Sequence, residues 1–268
     1  MSGAVARPLP VPAPLAERYR AWRWEAVSRW PEQTTWRLSR PGGEERYAKV
    51  YRAEVHPSLG EEAARLRWAR PHLPVPEVLE VGGDDQDGVD WLVTVGLPGL
   101  PATEPALAAD PGSVVRALAE GLRRFHDDAP VEGCPFEFRL DTAFEHVGRR
   151  VAAGRVDADE DLHDEHRHLG LAGAVRELES LRPDGEDLVV CHGDYCPPNA
   201  LVVGTTVVAY LDLGELGVAD RWWDLAVATW ATTWNYGPGY EDLFLDVYGA
   251  RPDPRRQAFY RLLYDLAS

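Results

Sequence analysis

Lysine is nearly missing from this chain: of 28 basic residues, 27 are arginine and one, Lys49, is lysine. Positive charge as a whole is outnumbered by 44 acidic residues, and the formal net charge of −16 gives a surface field that repels phosphate backbones and anionic membranes. Nucleic-acid binding and polybasic membrane docking are thereby excluded. No apolar run approaches the roughly 20 residues that a membrane-spanning helix needs. Cysteine is scarce and odd in number, at Cys134, Cys191 and Cys196, which argues against a disulfide framework and predicts a reducing, cytoplasmic compartment. The segment Met1 to Glu17 carries Arg7 and the prolines Pro8, Pro10, Pro12 and Pro14 instead of a continuous apolar stretch. It predicts a loose arm and no secretory signal.

The 268 residues, 45% of them hydrophobic, suffice for one large domain or two small lobes. Up to about Val95 the pattern is β-rich. Thr34 to Leu38 and Tyr47 to Tyr51 flank a Pro41-Gly42-Gly43 turn and predict a hairpin, and Val78 to Val81 with Trp91 to Val95 predict a second. Between them, Leu59 to Ala69 is built of helix formers and stops before Pro71. Gly96-Leu97-Pro98-Gly99 breaks the pattern, so a hinge is placed at 96–100, between an N-terminal lobe over 1–95 and a C-terminal lobe over 101–268. The second lobe is expected to be mainly helical, with Ser113 as N-cap of a helix through Phe125-His126 and further helices at 142–153, 171–181, 224–230 and 255–266. Strands are expected at Leu188 to Val190, Ala200 to Val203 and Thr206 to Leu211. The class is α+β, a small β-rich lobe followed by a larger helical one, with a cleft between them.

The chemistry concentrates in His192-Gly193-Asp194-Tyr195-Cys196-Pro197-Pro198-Asn199 and in Asp212-Leu213-Gly214. An Asp, an Asn five residues on, and a later Asp-x-Gly form the spacing that serves phosphoryl transfer in protein kinases. A γ-phosphoryl group passing between oxygens needs an acceptor hydroxyl held in line, and metal to neutralise the spreading charge. Asp194 would orient and deprotonate the hydroxyl, while Asn199 and Asp212 would supply the oxygen ligands that Mg²⁺ prefers. Lys49, in a Tyr-Ala-Lys strand, would ride on the α- and β-phosphates, its rotamer fixed by Glu62 thirteen residues on. The sole lysine thus has a physical reason to persist, since a compact ammonium approaches phosphate oxygens in a way arginine cannot. The loop Glu32-Gln33-Thr34-Thr35 carries no glycine, so the hydroxyls of Thr34 and Thr35 and backbone N–H groups would have to cover the phosphates.

The segment from Leu188 to Ala228, with Glu61 to Trp68, the Pro74 entry and Ala258 to Leu263, resembles the aminoglycoside phosphotransferases, especially their 3'-phosphotransferase branch. The resemblance implies a two-lobed protein-kinase-like fold and an enzyme that inactivates an antibiotic. It would transfer the γ-phosphoryl of ATP or GTP to an antibiotic hydroxyl with Mg²⁺, in resistance or self-protection, and act as a monomer or dimer. By resemblance Asp194 is the base, Asn199 and Asp212 the metal ligands, Lys49 and Glu62 the triphosphate-positioning pair, and Thr94, Val95 and Leu97 part of the hinge backbone that holds the purine. The chain departs from the family pattern at Glu215, at Trp230-Ala231 and at its end, Tyr264 to Ser268. The acidic residues Asp157, Asp159, Glu160, Asp161 and Asp265, with Trp230 and Trp234, are expected to contact the acceptor. The tryptophans raise two alternatives, a kinase of a sugar-bearing nucleoside antibiotic of the capuramycin type and a non-catalytic, pseudokinase-like binder.

Overall fold

A computed structural model of the protein describes residues 8–30, 32–107 and 109–267. They divide into two units, one containing the described residues up to Pro98 together with Ala209–Glu215, the other Gly99–Val208 and 216–267. The stretch 209–215, placed by the sequence reading in the C-terminal lobe, therefore groups with the first unit.

The first unit is a five-stranded antiparallel sheet in the order β1-β2-β3-β5-β4, from β1 (Arg23–Trp30), β2 (Gln33–Ser39), β3 (Glu45–Arg52), β4 (Val78–Asp84) and β5 (Val89–Val95). Side chains alternate faces along a strand. Ala48 and Val50 of β3 therefore enter a core with Leu38, Val89, Trp91 and Val93, whereas Tyr47, Lys49 and Tyr51 line the opposite face. The expected loose arm is ordered over its described residues. Residues 1–7 lie outside the described residues, but Ala13–Arg18 forms a short helix, α1, and Leu9, Leu15 and Tyr19 are buried in that core. The prolines do not prevent this, because a first helical turn tolerates proline. Helix α2 (Leu59–Ala69) begins with a capping box: Ser58 Oγ accepts the Glu61 N–H at 3.2 Å, and Glu61 Oε2 accepts the Ser58 N–H at 2.8 Å. It packs against β4 and β5.

The second unit is helical around two small sheets. Its elements in order are β6 (Leu100–Pro101), α3 (Pro111–Asp128), α4 (Leu140–Ala152), α5 (Asp164–Arg167), α6 (Gly170–Leu181), β7 (Leu188–Cys191), β8 (Ala200–Val203), β9 (Thr206–Tyr210), β10 (Gly217–Asp220), α7 (Trp222–Tyr236), α8 (Glu241–Tyr248) and α9 (Pro254–Ala267). Strand β9 runs on past the boundary at Val208. β7 pairs with β10, and β8 lies between β6 and β9. The cap of α3 is Asp110 and not Ser113: the aspartate side chain accepts the Ser113 N–H at 3.2 Å and the Ser113 hydroxyl at 2.6 Å. Gly121 lets α3 approach its neighbours, since a Cβ there would stand 2.8 Å from both Tyr195 Oη and Val207 Cγ2. Among the described residues no helix is long and apolar enough to cross a membrane.

Candidate active site

Lys49 sits mid-strand on β3 and Glu62 one turn into α2. The ammonium donates to Glu62 Oε1 at 2.8 Å and Oε2 at 2.9 Å, and pairs with Asp212 Oδ1 at 2.9 Å. Burial alone would lower the Lys49 pKa, but the carboxylates of Asp212 and Glu62 outweigh it and hold the ammonium well above its ordinary value. Burial raises the Glu62 carboxyl, with Lys49 opposing. Burial likewise pushes the Tyr51 phenol, beside Lys49 on the same face, up to about 12. Asp212 has a φ of 59°, a left-handed backbone that aspartate tolerates better than most residues. This turn is close-packed: a Cβ on Gly214 would stand 2.9 Å from Pro57 Cγ.

The β1–β2 turn corrects the phosphate-loop reading. Trp30 pairs with Gln33, and Gln33, Thr34 and Thr35 are all strand residues of β2. Thr34 is buried beneath the sheet, where its Oγ1 accepts the Leu9 N–H at 2.9 Å; it anchors the N-terminal segment instead of facing a phosphate. Thr35 lies directly across from Lys49 on the same face. In the hinge segment, Thr94 is paired with Tyr47 in the sheet, the Val95 N–H donates to Glu77 O at 3.0 Å and the Gly96 N–H to Glu45 O at 2.9 Å.

In the second unit the loop after β7 carries Asp194. Asn199 Nδ2 donates to Asp194 Oδ2 at 2.9 Å and to Asp194 O at 3.0 Å, which fixes the amide with its carbonyl oxygen turned away. The Tyr264 hydroxyl of α9 donates to Asp194 Oδ1 at 3.4 Å. Beneath the loop lies a carboxylate that the sequence reading gave no role. Asp224 of α7 is fully buried; it accepts the His192 N–H at 2.7 Å and the Gly193 N–H at 2.9 Å, and its Oδ2 pairs with His126 Nε2 at 2.9 Å. His126 Nδ1 in turn meets Tyr248 Oη at 2.7 Å, and Arg221 donates to that phenol oxygen at 3.2 Å. These partners assign one direction to the chain: Arg221 to Tyr248, Tyr248 O–H to His126 Nδ1, His126 Nε2–H to Asp224. Trp223 donates its Nε1–H to Gly193 O at 2.8 Å and so braces the same loop. The signal for Asp224 was present in the sequence, as one charge inside the apolar run Trp222 to Trp230, where a buried carboxylate must find partners.

The expected acceptor residues divide. Asp157, Asp159 and Glu160 are exposed in a turn closed by its own carboxylates: Asp157 Oδ1 accepts the Asp159 N–H, and Asp161 Oδ2 accepts the Asp157 N–H, each at 2.8 Å. Asp265 is not a free surface carboxylate. It is buried, and it accepts from His163 Nδ1 at 2.6 Å, His166 Nδ1 at 2.7 Å and the His163 N–H at 3.0 Å. Burial would raise its pKa, but these hydrogen bonds prevail and hold it below the ordinary aspartate value. Trp230 is buried and Trp234 half-exposed, and both rings pack on His163.

Comparison with known proteins gives this arrangement a context. Residues 24–260 match the model of the phosphotransferase enzyme family APH. The chain is 40% identical over 265 residues to an aminoglycoside 3'-phosphotransferase of Streptomyces fradiae, covering 93% of this chain and 97% of that one. It is 36% identical over 228 residues to a streptomycin 3''-kinase of Streptomyces griseus, covering 80% and 82%. Among solved structures it is similar to an aminoglycoside-3'-phosphotransferase of type VIII, with a TM-score of 0.82 and 35% identity over 94% of this chain and 96% of that one. It is also similar to APH(3'')-Id of Streptomyces rimosus in complex with ADP and streptomycin, with a TM-score of 0.75 and 28% identity over 95% and 96%. With the Lys49–Glu62–Asp212 array in one unit, the braced Asp194–Asn199 pair in the other, and matches spanning nearly the whole sequence, the chain belongs to the aminoglycoside phosphotransferase family of phosphotransferase enzymes.

Proposed function

We propose that the protein inactivates an aminoglycoside by transferring the γ-phosphoryl group of ATP or GTP to one of its hydroxyls. Asp194 accepts the hydroxyl proton as that oxygen bonds to the γ-phosphorus; the bond from phosphorus to the β–γ bridging oxygen breaks, and the nucleoside diphosphate leaves. Asn199, through its two bonds to Asp194, holds the carboxylate in the rotamer that receives the proton. Lys49, fixed by Glu62, meets the α- and β-phosphate oxygens, with Thr35 beside it on the sheet. The Leu97 N–H, which has no backbone partner among the described residues, offers a donor to the purine edge. The donor set suits Mg²⁺, which prefers oxygen ligands: the Asn199 amide, whose nitrogen is engaged by Asp194, has a carbonyl oxygen, and Asp212 has a carboxylate. When bound to these two residues, Mg²⁺ supplies neutralisation of the charge that develops on the phosphate oxygens.

The intact Asp194–Asn199 pair carries this reading over that of a non-catalytic binder, and the relatives favour an aminoglycoside over a nucleoside antibiotic. The test is mass spectrometry of reaction mixtures containing MgATP or MgGTP with neomycin, kanamycin, streptomycin or a capuramycin-type nucleoside. A monophosphorylated aminoglycoside is expected. Asp194→Asn should reduce turnover by about 10²–10⁴-fold with nucleotide affinity retained. Absence of phosphorylated aminoglycoside with both donors refutes the proposal.

A further inference from the structure

Strand β3 presents three side chains to one face in the order Tyr47, Lys49 and Tyr51. At one end Tyr47 pairs with Thr94, next to the hinge segment that offers the Leu97 N–H to the purine. In the middle Lys49 meets the α- and β-phosphate oxygens. Purine, inner phosphates and γ-phosphoryl follow one another along the nucleotide, so the γ-phosphoryl lies beyond Lys49 on the side away from the hinge. The next position on that face in that direction is Tyr51. A step of two residues along a strand covers about 6.6–6.8 Å, the scale of a triphosphate.

Tyr51 belongs to the charged array and not to the sheet's core. It is half-buried, and its ring centroid lies 5.9 Å from Lys49 Nζ. Burial raises its phenol, with Lys49 opposing and Asp212 and Glu62 assisting, which places the hydroxyl within range of all three charges. The array has few donors to spare, because its one ammonium already faces Glu62 Oε1, Glu62 Oε2 and Asp212 Oδ1 at 2.8–2.9 Å. Thr34 adds none, since its hydroxyl is buried on the other face with the Leu9 N–H. Across the sheet, Thr35 stands opposite Lys49 and Gln33 opposite Tyr51. A terminal phosphoryl reaching the Gln33–Tyr51 row meets a carboxamide and a phenol, neutral donors that supply hydrogen bonds without a further charge to balance.

We infer that the Tyr51 hydroxyl donates a hydrogen bond to an oxygen of the γ-phosphoryl group and is a further catalytic residue of the transfer. The phenol keeps its proton throughout, and its O–H dipole is aimed in advance at the equatorial oxygens over which charge spreads as the group passes between two oxygens. The placement of the nucleotide along β3 rests on the function proposed above.

The test compares nucleotides that differ by one phosphoryl group. MgADP and MgAMP-PNP, or the guanine pair MgGDP and MgGMP-PNP, are titrated by calorimetry into full-length wild type and Tyr51→Phe, with steady-state phosphorylation of neomycin alongside. Phenylalanine keeps the ring and the strand preference and deletes only the oxygen. The variant should bind the triphosphate analogue about tenfold more weakly and turn over about tenfold or more slowly, as expected for loss of a hydrogen bond to a charged acceptor. Its Kd for the diphosphate should stay within about twofold of wild type. A structural role, or one exerted through Lys49, would weaken both nucleotides together, since the diphosphate keeps the groups that Lys49 serves; that result overturns the inference. Wild-type affinity for the triphosphate analogue with kcat within about twofold also overturns it. Selective loss of the triphosphate analogue in a protein that phosphorylates no aminoglycoside supports the γ-phosphoryl contact and refutes the proposed function. Wild type that binds neither pair of nucleotides overturns both.

Discussion

Replacing Asp224 by Asn tests whether the loop bearing Asp194 is held by a buried charge. The wild-type carboxylate receives the N–H groups of His192 and Gly193 at 2.7 and 2.9 Å and pairs with His126 at 2.9 Å. An amide of the same shape can accept with one end only, so at least one of these donors faces another donor. A buried polar group left unsatisfied costs about 1–3 kcal/mol, and the loss of charge-assisted bonding adds about 1 kcal/mol. The unfolding free energy should therefore fall by about 2–4 kcal/mol, which a protein stable by about 5–15 kcal/mol survives. With a urea m-value of about 2 kcal/mol/M, the midpoint followed by tryptophan fluorescence moves down by about 1–2 M. The catalytic consequence is separate: a shift of Asp194 by about 1 Å should lower kcat by about 10²-fold. Peptide-level hydrogen exchange joins the two effects, because the peptide covering Cys191 to Tyr195 should lose protection in the variant under conditions where β3 and β5 keep theirs. If that peptide stays protected and kcat remains within about twofold of wild type, Asp224 does not clamp the loop and the reasoning fails.

Three other outcomes follow from the geometry. Lys49→Arg puts a planar fork where one ammonium meets Glu62 and Asp212 at 2.8–2.9 Å, and should cost about tenfold or more in kcat/KM for the nucleotide; full activity would deny the lysine its special role. Gly121→Ala forces a methyl to 2.8 Å from Tyr195 Oη and Val207 Cγ2, which should cost about 1–3 kcal/mol and lower the melting midpoint by roughly 2–10 °C in differential scanning calorimetry. The depressed pKa of Asp265 adds stability at pH values above its ordinary 3.8, and that contribution is lost as pH falls through the lower folded-state value. Urea midpoints of wild type should accordingly drop more steeply below about pH 4 than those of Asp265→Asn, and parallel slopes would contradict the assignment.

The parts legible in the sequence were those written locally. Helix α2 could be bounded because helix formers run from Glu61 and stop before Pro71, and Asp194 and Asn199 could be paired because Asn199 follows Asp194 by five positions. The long-range parts were not written in any one window. Asp224 meets its loop from about thirty residues away in sequence, and His163 and Asp265 are 102 residues apart. No spacing rule connects them; only packing does. Thr34 misled because a hydroxyl in a predicted loop reads as a ligand contact, while register places it in the core beside Leu9. Helix α8 was missed although Phe244, Leu245 and Tyr248 form a buried stripe, because its eight residues give barely two turns of periodicity after a Gly-Pro-Gly break.

The membership of Ala209–Glu215 in the first unit has a consequence for how the chain is made. The five-stranded sheet is fully synthesised by Val95, but Asp212 emerges only after more than a hundred further residues. At about 5–20 residues per second, that interval is about 6–23 s. Throughout it the nascent sheet carries Lys49 with Glu62 alone, one of its two carboxylate partners not yet made. A ribosome that stalls, or a message cut, before Asp212 leaves a sheet whose buried ammonium lacks one of its two carboxylate partners, a species open to chaperones and proteases that the finished enzyme does not present.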